Sequence, residues 1–78
     1  MENNRIKIVA KFYLKSGLIV EDYQIAVSED ESISITRKIK SLLEANFIDE
    51  YNNMSIVFGD TVLRTADVSA VTFETNSI

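Results

Sequence analysis

A strict alternation of apolar and polar side chains in residues 5–15 constrains the fold more than any other feature of this chain. The even positions are apolar: Ile6, Ile8, Ala10, Phe12 and Leu14. The odd positions are mostly polar: Arg5, Lys7, Val9, Lys11, Tyr13 and Lys15. A period of two over this length is typical of a β-strand with one buried face. The pattern therefore predicts a first strand whose even-numbered side chains enter the core.

A second β-rich run, residues 18–27, follows Ser16 and Gly17. A two-residue loop that contains glycine favours a tight hairpin turn in which the glycine takes a positive φ. Such a turn predicts a register in which the numbers of opposite residues sum to 33. Ile25 then lies opposite Ile8 on the core side, and Asp22 lies opposite Lys11 on the other side. Glu21 is the exception, because this register places it on the apolar side, where we expect the rim of the sheet or a bulge.

The period changes at Ser28, where Ser28 to Glu31 form a capping-box pattern with three acidic residues in the first turn. Apolar residues then follow at helical spacing: Ile35, Ile39, Leu42 and Leu43. The pattern predicts a helix. Because β-branched residues weaken its first turns, we expect it to begin near Ser32. We expect it to end with Asn46 in the left-handed conformation and Phe47 folded back onto the last turn.

The β pattern resumes after the polar residues 49–53. Residues 54–58 and 61–64 alternate around a predicted turn at Gly59 and Asp60, and residues 65–67 interrupt the run. Val68, Val71 and Phe73 mark a last strand before a polar tail at residues 75–78. The predicted order is β-β-α-β-β-β. This order indicates an α+β fold in which an antiparallel sheet of about five strands carries one helix on one face, with residues 1–78 as a single domain.

The composition limits the chemistry that the chain can perform. Its 78 residues include no histidine and no cysteine, which are the commonest general base and the strongest neutral-pH nucleophile. It has no glycine-rich phosphate loop, and the helix cap accounts for its main acidic cluster. We therefore predict a protein that is not an enzyme and has no cofactor and no metal site. No apolar run is long enough for a membrane span, so we expect a cytoplasmic protein with no membrane partner.

The first candidate site is the sheet face that the helix leaves open. If the helix covers Ile8, Ile25 and Ile56, several apolar side chains face away from it, and the candidate interface residues are Val9, Tyr13, Val20, Val57 and Val62. An exposed apolar face commonly binds another protein, and small domains often pair symmetrically. We predict an interaction module that forms a homodimer or binds a protein partner through this face. The competing interpretation is a solvated open face, because polar residues are interspersed.

The second candidate site is the basic side of the first strand, formed by Arg5, Lys7, Lys11, Lys15 and Tyr13. Cations beside an aromatic ring can follow a phosphate backbone and stack a base, so the alternative function is nucleic-acid binding. The competing interpretation is again structural, since lysines also protect strands from edge-to-edge aggregation. The net charge of −4 favours the structural interpretation.

Residues 62–73 form a strand, a short polar break that ends in Asp67-Val68, and a strand with the pattern Val-x-x-Val-x-Phe. This segment resembles the last two strands of many small β-rich proteins of bacteria and their phages. The wider layout is similar to small uncharacterised α+β proteins of Gram-positive bacteria, prophages and mobile elements. The resemblance implies a comparable α+β fold and a phage or prophage connection, and it assigns no site residue.

Overall fold

The structure is a computed structural model that describes residues 5–78. Within these residues the chain forms five strands, one α-helix and a short 3₁₀ turn. Their bounds are β1 Ile6–Leu14, β2 Ile19–Ala26, α1 Glu29–Ile48, β3 Ser55–Phe58, β4 Thr61–Arg64, the 3₁₀ turn Thr65–Asp67, and β5 Val68–Ser77. The predicted α+β class and the order β-β-α-β-β-β are confirmed.

The five strands form two antiparallel sheets. A three-stranded sheet has the order β2-β1-β5, and β3 and β4 form a separate hairpin. The helix and the hairpin cover the same face of the three-stranded sheet, which we call the inner face. Phe58 of the hairpin packs edge-on against Phe12 of β1, with ring centroids 6.1 Å apart.

The core confirms the alternation predicted for β1. Ile8, Ala10 and Phe12 are completely buried on the inner face. They join Ile39 and Leu43 of α1 and Ile56 and Phe58 of β3 in the layer above, and Ala26 of β2 and Val68 of β5 in the same sheet. The even-numbered side of β1 is therefore the centre of the hydrophobic core.

The predicted register of β1 and β2 is wrong by one residue. The connecting loop has three residues, 15–17, because the Leu14 N–H donates to the Leu18 carbonyl oxygen at 2.9 Å and Gly17 has a φ of +94°. Opposite residue numbers therefore sum to 32, so that Lys11 pairs with Glu21. A slip of one residue moves every side chain of a strand to the other face.

The slip exchanges the two faces of β2. The residues that turn inward are Val20, Asp22, Gln24 and Ala26, and those that turn outward are Ile19, Glu21, Tyr23 and Ile25. The expected inward positions of Ile25 and Tyr23 and the Lys11–Asp22 pair are therefore wrong. Glu21 needs no bulge, because it lies on the exposed face opposite Lys11.

The predicted helix cap is confirmed, but both predicted ends of the helix are wrong. The Ser28 hydroxyl accepts the Glu31 N–H at 3.1 Å, and the helix begins at Glu29 rather than near Ser32. Within residues 5–78, positive φ occurs only at the two glycines, so Asn46 does not end the helix. Its buried side chain instead donates to the carbonyl oxygens of Glu50 and Asn52. Phe47 is largely exposed.

The predicted polar tail is also wrong, because β5 continues to Ser77. Ser77 pairs with Ile6, and Thr75 pairs with Ile8. The pairing of β1 with β5 shifts by one residue between Tyr13 and Leu14, where β5 forms a bulge. At this bulge the Ser69 hydroxyl donates to the Tyr13 carbonyl oxygen at 2.9 Å. The central strand is thus paired along its whole length on both sides.

Candidate interaction surface

The face of the three-stranded sheet that points away from the helix is uncovered, and we call it the outer face. Its residues are Lys7, Val9, Lys11 and Tyr13 of β1, Ile19, Glu21, Tyr23 and Ile25 of β2, and Ala70, Thr72, Glu74 and Asn76 of β5. They form four rows across the strands. This face follows directly from the alternation of β1 and the observed register.

The apolar side chains of the outer face concentrate on β2 and the centre of β1. Ile19 is 59% exposed and Tyr23 is 55% exposed, although both are large apolar or aromatic residues. Ile19 lies beside Tyr13, and Tyr23 lies beside Val9. Exposed apolar area of this kind stabilises an interface when another surface covers it.

The charges of the outer face balance within the face itself. Lys7 and Lys11 lie on β1, while Glu21 and Glu74 lie on the two neighbouring strands. The ammonium group of Lys7 lies 4.7 Å from the centre of the Tyr23 ring, in a cation–π contact. The outer face therefore has no net charge in a chain whose net charge is −4.

The predicted interface residues fall on three different surfaces. Val9 and Tyr13 lie on the outer face, where the sequence placed them. Val20 does not, because the register turns it inward, where it packs against the core. Ile19, Tyr23 and Ile25 occupy the positions expected for Val20 and its neighbours, and the predicted register did not place them on this face. The misplaced Glu21 was a signal against the predicted register, but shifting the register by one turns Asp22 and Gln24 inward, so the pattern alone did not locate these residues.

Val57 and Val62 lie apart from the outer face, on the exposed side of the β3–β4 hairpin. They are direct cross-strand neighbours and are 67% and 65% exposed. Their expected position on one common sheet face with Val9 and Tyr13 is therefore wrong, since β3 and β4 belong to a different sheet.

The predicted nucleic-acid residues do not form an uninterrupted basic row. Lys7, Lys11 and Tyr13 share the outer face, and the exposed Arg5 directly precedes β1. Lys15 lies in the exposed loop after β1. Glu21 is the direct cross-strand neighbour of Lys11, so a carboxylate stands beside the middle of the row.

The two inward polar residues of β2 bind the turn of the β3–β4 hairpin. Asp22 Oδ2 accepts the Thr61 hydroxyl at 2.6 Å and the Asp60 N–H at 3.0 Å. Gln24 Oε1 accepts the Gly59 N–H at 3.0 Å. These hydrogen bonds attach the hairpin to the sheet at the β2 edge.

The same contacts lower the pKa of Asp22. The Thr61 hydroxyl has the largest effect, followed by the Tyr23 N–H, which Asp22 Oδ1 accepts at 2.7 Å. Together with the Asp60 N–H, they hold this pKa below its ordinary value of 3.8 by favouring the charged carboxylate, and they outweigh the opposing effect of burial.

The described part of the chain has neither a cluster of metal-ligating side chains nor a membrane-spanning helix. Among residues 5–78, no group of three or more acidic side chains converges where a metal ion could be held. None of the helical segments there is both long and apolar enough to cross a membrane.

Comparison of the chain with family models, with curated proteins and with solved structures finds no match.

Proposed function

We propose that this protein is a cytoplasmic, non-enzymatic interaction module that pairs with a second copy of itself through the outer face. The observation that supports the proposal is the uncovered apolar area of Ile19, Tyr23 and Ile25 beside Val9 and Tyr13. In the isolated chain this area faces water, and burying it in an interface stabilises the paired state by about 25 cal/mol for each Å² of apolar surface.

The charges of the outer face favour a second copy as the partner. A twofold axis places the same surface on both sides of an interface, so each charged group needs an opposite charge on that same surface. The outer face supplies this, because Lys7 and Lys11 are matched by Glu21 and Glu74. The lysines of one copy can then lie near the glutamates of the other.

Nucleic-acid binding is the alternative function, and the geometry favours it less. A surface that binds a phosphate backbone needs an excess of cations, whereas here carboxylates from both neighbouring strands flank the lysines of β1. Lys7 is in addition engaged with the Tyr23 ring. The alternative predicts salt-sensitive binding of oligonucleotides, which the experiment below also measures.

The test is light scattering after size-exclusion chromatography of the wild type and Ile19→Lys. The substitution places two buried ammonium groups in a twofold interface, so we expect the dissociation constant to rise at least about tenfold. Val57→Lys is the matched control, because it introduces the same charge at a similarly exposed aliphatic residue in a strand on the other sheet. Circular dichroism confirms that each variant is folded.

The proposal requires that Ile19→Lys weakens association and that Val57→Lys does not. A wild-type chain that stays monomeric at high concentration contradicts it, and so does equal weakening by both variants. Salt-sensitive co-elution of an added oligonucleotide with a monomer supports the nucleic-acid alternative instead.

A further inference from the structure

The outer edge of β5 carries backbone groups that are free to pair with another strand. In an antiparallel sheet, the backbone groups of successive residues in a central strand point alternately to the strand on one side and to the strand on the other side. In β1 the even residues bond toward β2, as Leu14 does to Leu18, and the odd residues bond toward β5, as Arg5 does to Ile78. The even residues of β5 therefore bond to β1, and the N–H and carbonyl groups of Val71, Phe73 and Thr75 point outward. Within residues 5–78, no hydrogen bond satisfies these outward groups.

The opposite edge of the sheet is partly covered. The turn of the β3–β4 hairpin binds to β2 through Asp22 and Gln24. A Cβ atom added at Gly59 would lie only 2.6 Å from the Tyr23 carbonyl oxygen, which shows how closely the turn covers that edge. The turn therefore obstructs the β2 edge near Tyr23, whereas the β5 edge is open from Val71 to Thr75.

The composition of β5 gives this open edge little protection. Protein edges are usually guarded by lysine, proline or very short strands. β5 is 10 residues long, contains no lysine, arginine or proline, and carries Glu74 as its one charged residue. Its bulge lies at the Ser69 end and leaves the stretch from Val71 to Ser77 regular.

The inner face is also incompletely covered beside β5. Ala10 and Phe12 of β1 are fully buried, but their cross-strand partners Phe73 and Val71 are only half-buried. Close by, a groove of about 320 Å³ runs between α1 and the end of β5 and is lined in part by Ile33, Thr36 and Thr75. A strand added to β5 would cover these side chains as well as the backbone groups.

We propose that β5 pairs in the antiparallel direction with β5 of a second copy, around a twofold axis at Phe73. Val71 then lies opposite Thr75 of the second copy, beside the groove at Ile33. Phe73 lies opposite its own equivalent, and Glu74 lies opposite Thr72, so no like charges are directly opposed. The paired edges form about six main-chain hydrogen bonds and join two three-stranded sheets into one continuous sheet.

This edge pairing is independent of the pairing proposed for the outer face. It uses main-chain groups in the plane of the sheet, whereas the outer face uses side chains above that plane. Because the two pairings use different parts of the molecule, neither one blocks the other.

The test combines a matched pair of substitutions at Thr75. Thr75→Pro removes an outward N–H without breaking a bond to β1, whereas Thr75→Ala keeps that N–H. In the Ile19→Lys background we expect a dimer for Thr75→Ala and a monomer for Thr75→Pro by light scattering. If the outer-face proposal fails, the same comparison in the wild-type background still tests the edge. Circular dichroism checks that each chain is folded.

Amide hydrogen exchange of the unsubstituted chain provides a second measurement that needs no variant. The amides of Val71, Phe73 and Thr75 should exchange at least about tenfold more slowly at high than at low protein concentration. The amides of Thr72 and Glu74, which bond to β1, serve as internal controls with no concentration dependence. Equal masses for the two Thr75 variants, or outward amides whose exchange is independent of concentration, would overturn the proposal.

Discussion

The two hairpin turns of this molecule both contain glycine at positive φ, but their surroundings differ. Gly17, between β1 and β2, has a φ of +94°, and an added Cβ would meet no atom within 4 Å. Gly59, between β3 and β4, has a φ of +58°, and the same addition would meet backbone and side-chain atoms of β2. The first turn makes one backbone contact outside the hairpin, from the Lys15 N–H to the Asp67 carbonyl oxygen at 2.9 Å, but its glycine lies in open space. In the second turn the glycine itself lies against β2, so its sequence must satisfy tertiary contacts at that position as well as local ones.

Gly59→Ala should have the largest effect on stability. The alanine Cβ would lie 2.6 Å from the Tyr23 carbonyl oxygen and 2.7 Å from Asp22 Oδ1, so the turn must move away from β2. Overpacking and the positive φ together should lower the free energy of unfolding by about 3 kcal/mol. Urea denaturation of the purified variant measures the loss. A loss no greater than that caused by Gly17→Ala would contradict the contact between the turn and β2.

Asp22→Asn should have a smaller effect that depends on pH. The pKa of Asp22 is lower in the folded chain than in the unfolded chain. In the pH range where the carboxylate titrates, the unfolded chain therefore binds more protons, and the free energy of unfolding rises with pH. The stabilisation by the Asp22 carboxylate is complete above the pKa that this group has in the unfolded chain, near 3.8, and it is lost as the pH falls through the lower pKa of the folded chain. We expect wild type to be more stable than the variant at neutral pH, and the difference to shrink below about pH 4.

Urea denaturation midpoints of Asp22→Asn and wild type across this pH range provide the measurement. Glu21→Gln is the control on the same strand, because its side chain lies on the outer face, away from the β3–β4 turn. A stability difference between wild type and Asp22→Asn that stays constant from pH 7 to pH 2 would show that the carboxylate charge does not hold the turn.

Gly17→Ala should have the smallest effect. No atom obstructs the new methyl group, so the cost is the unfavourable positive φ alone, about 1 kcal/mol. Gly17→Asn should cost less than Gly17→Ala, because asparagine tolerates positive φ better. Urea denaturation of both variants compares them. A loss at Gly17 equal to that at Gly59 would remove the distinction between the two turns.

The elements determined by local signals could be predicted from the sequence. The alternation in β1 and the capping box at Ser28 each lie within one segment, and both are confirmed. The tight turn at Gly59 and Asp60 is confirmed as well, since Phe58 pairs directly with Thr61. Local backbone chemistry and hydrophobic period are sufficient for such features.

The register of β2 could not be predicted reliably, because it depends on one residue of loop length. The apolar residues Ile19, Tyr23 and Ile25 indicated a buried face, yet they point outward. Asp22 and Gln24 turn inward because the hairpin turn supplies donors for their side-chain oxygens. The polar segment at residues 75–77 becomes a strand because β1 offers it a partner. Both outcomes depend on contacts between segments far apart in the sequence.

Only part of the candidate surface could be predicted, because the rest depends on contacts between segments far apart in the sequence. Val9 and Tyr13 lie on β1, whose faces the alternation defines, and the structure places them on the outer face. Val20 was assigned through the register, and Val57 and Val62 through the assumption of one common sheet. Each of these three placements on the outer face depended on long-range pairing, and each placement is wrong, while the role of the residues in an interface stays a prediction.

The position of β1 between β2 and β5 has a consequence for the chain during its synthesis. Among the described strands β1 is made before the others, and β2 follows it after four connecting residues. Its other neighbour, β5, begins only at Val68, so one side of β1 has no strand partner for several seconds at ordinary translation rates. During that interval the side chains of Ile8 and Phe12 lack the complete layer that later buries them. During synthesis, therefore, the core of this fold cannot close until β5 has emerged from the ribosome.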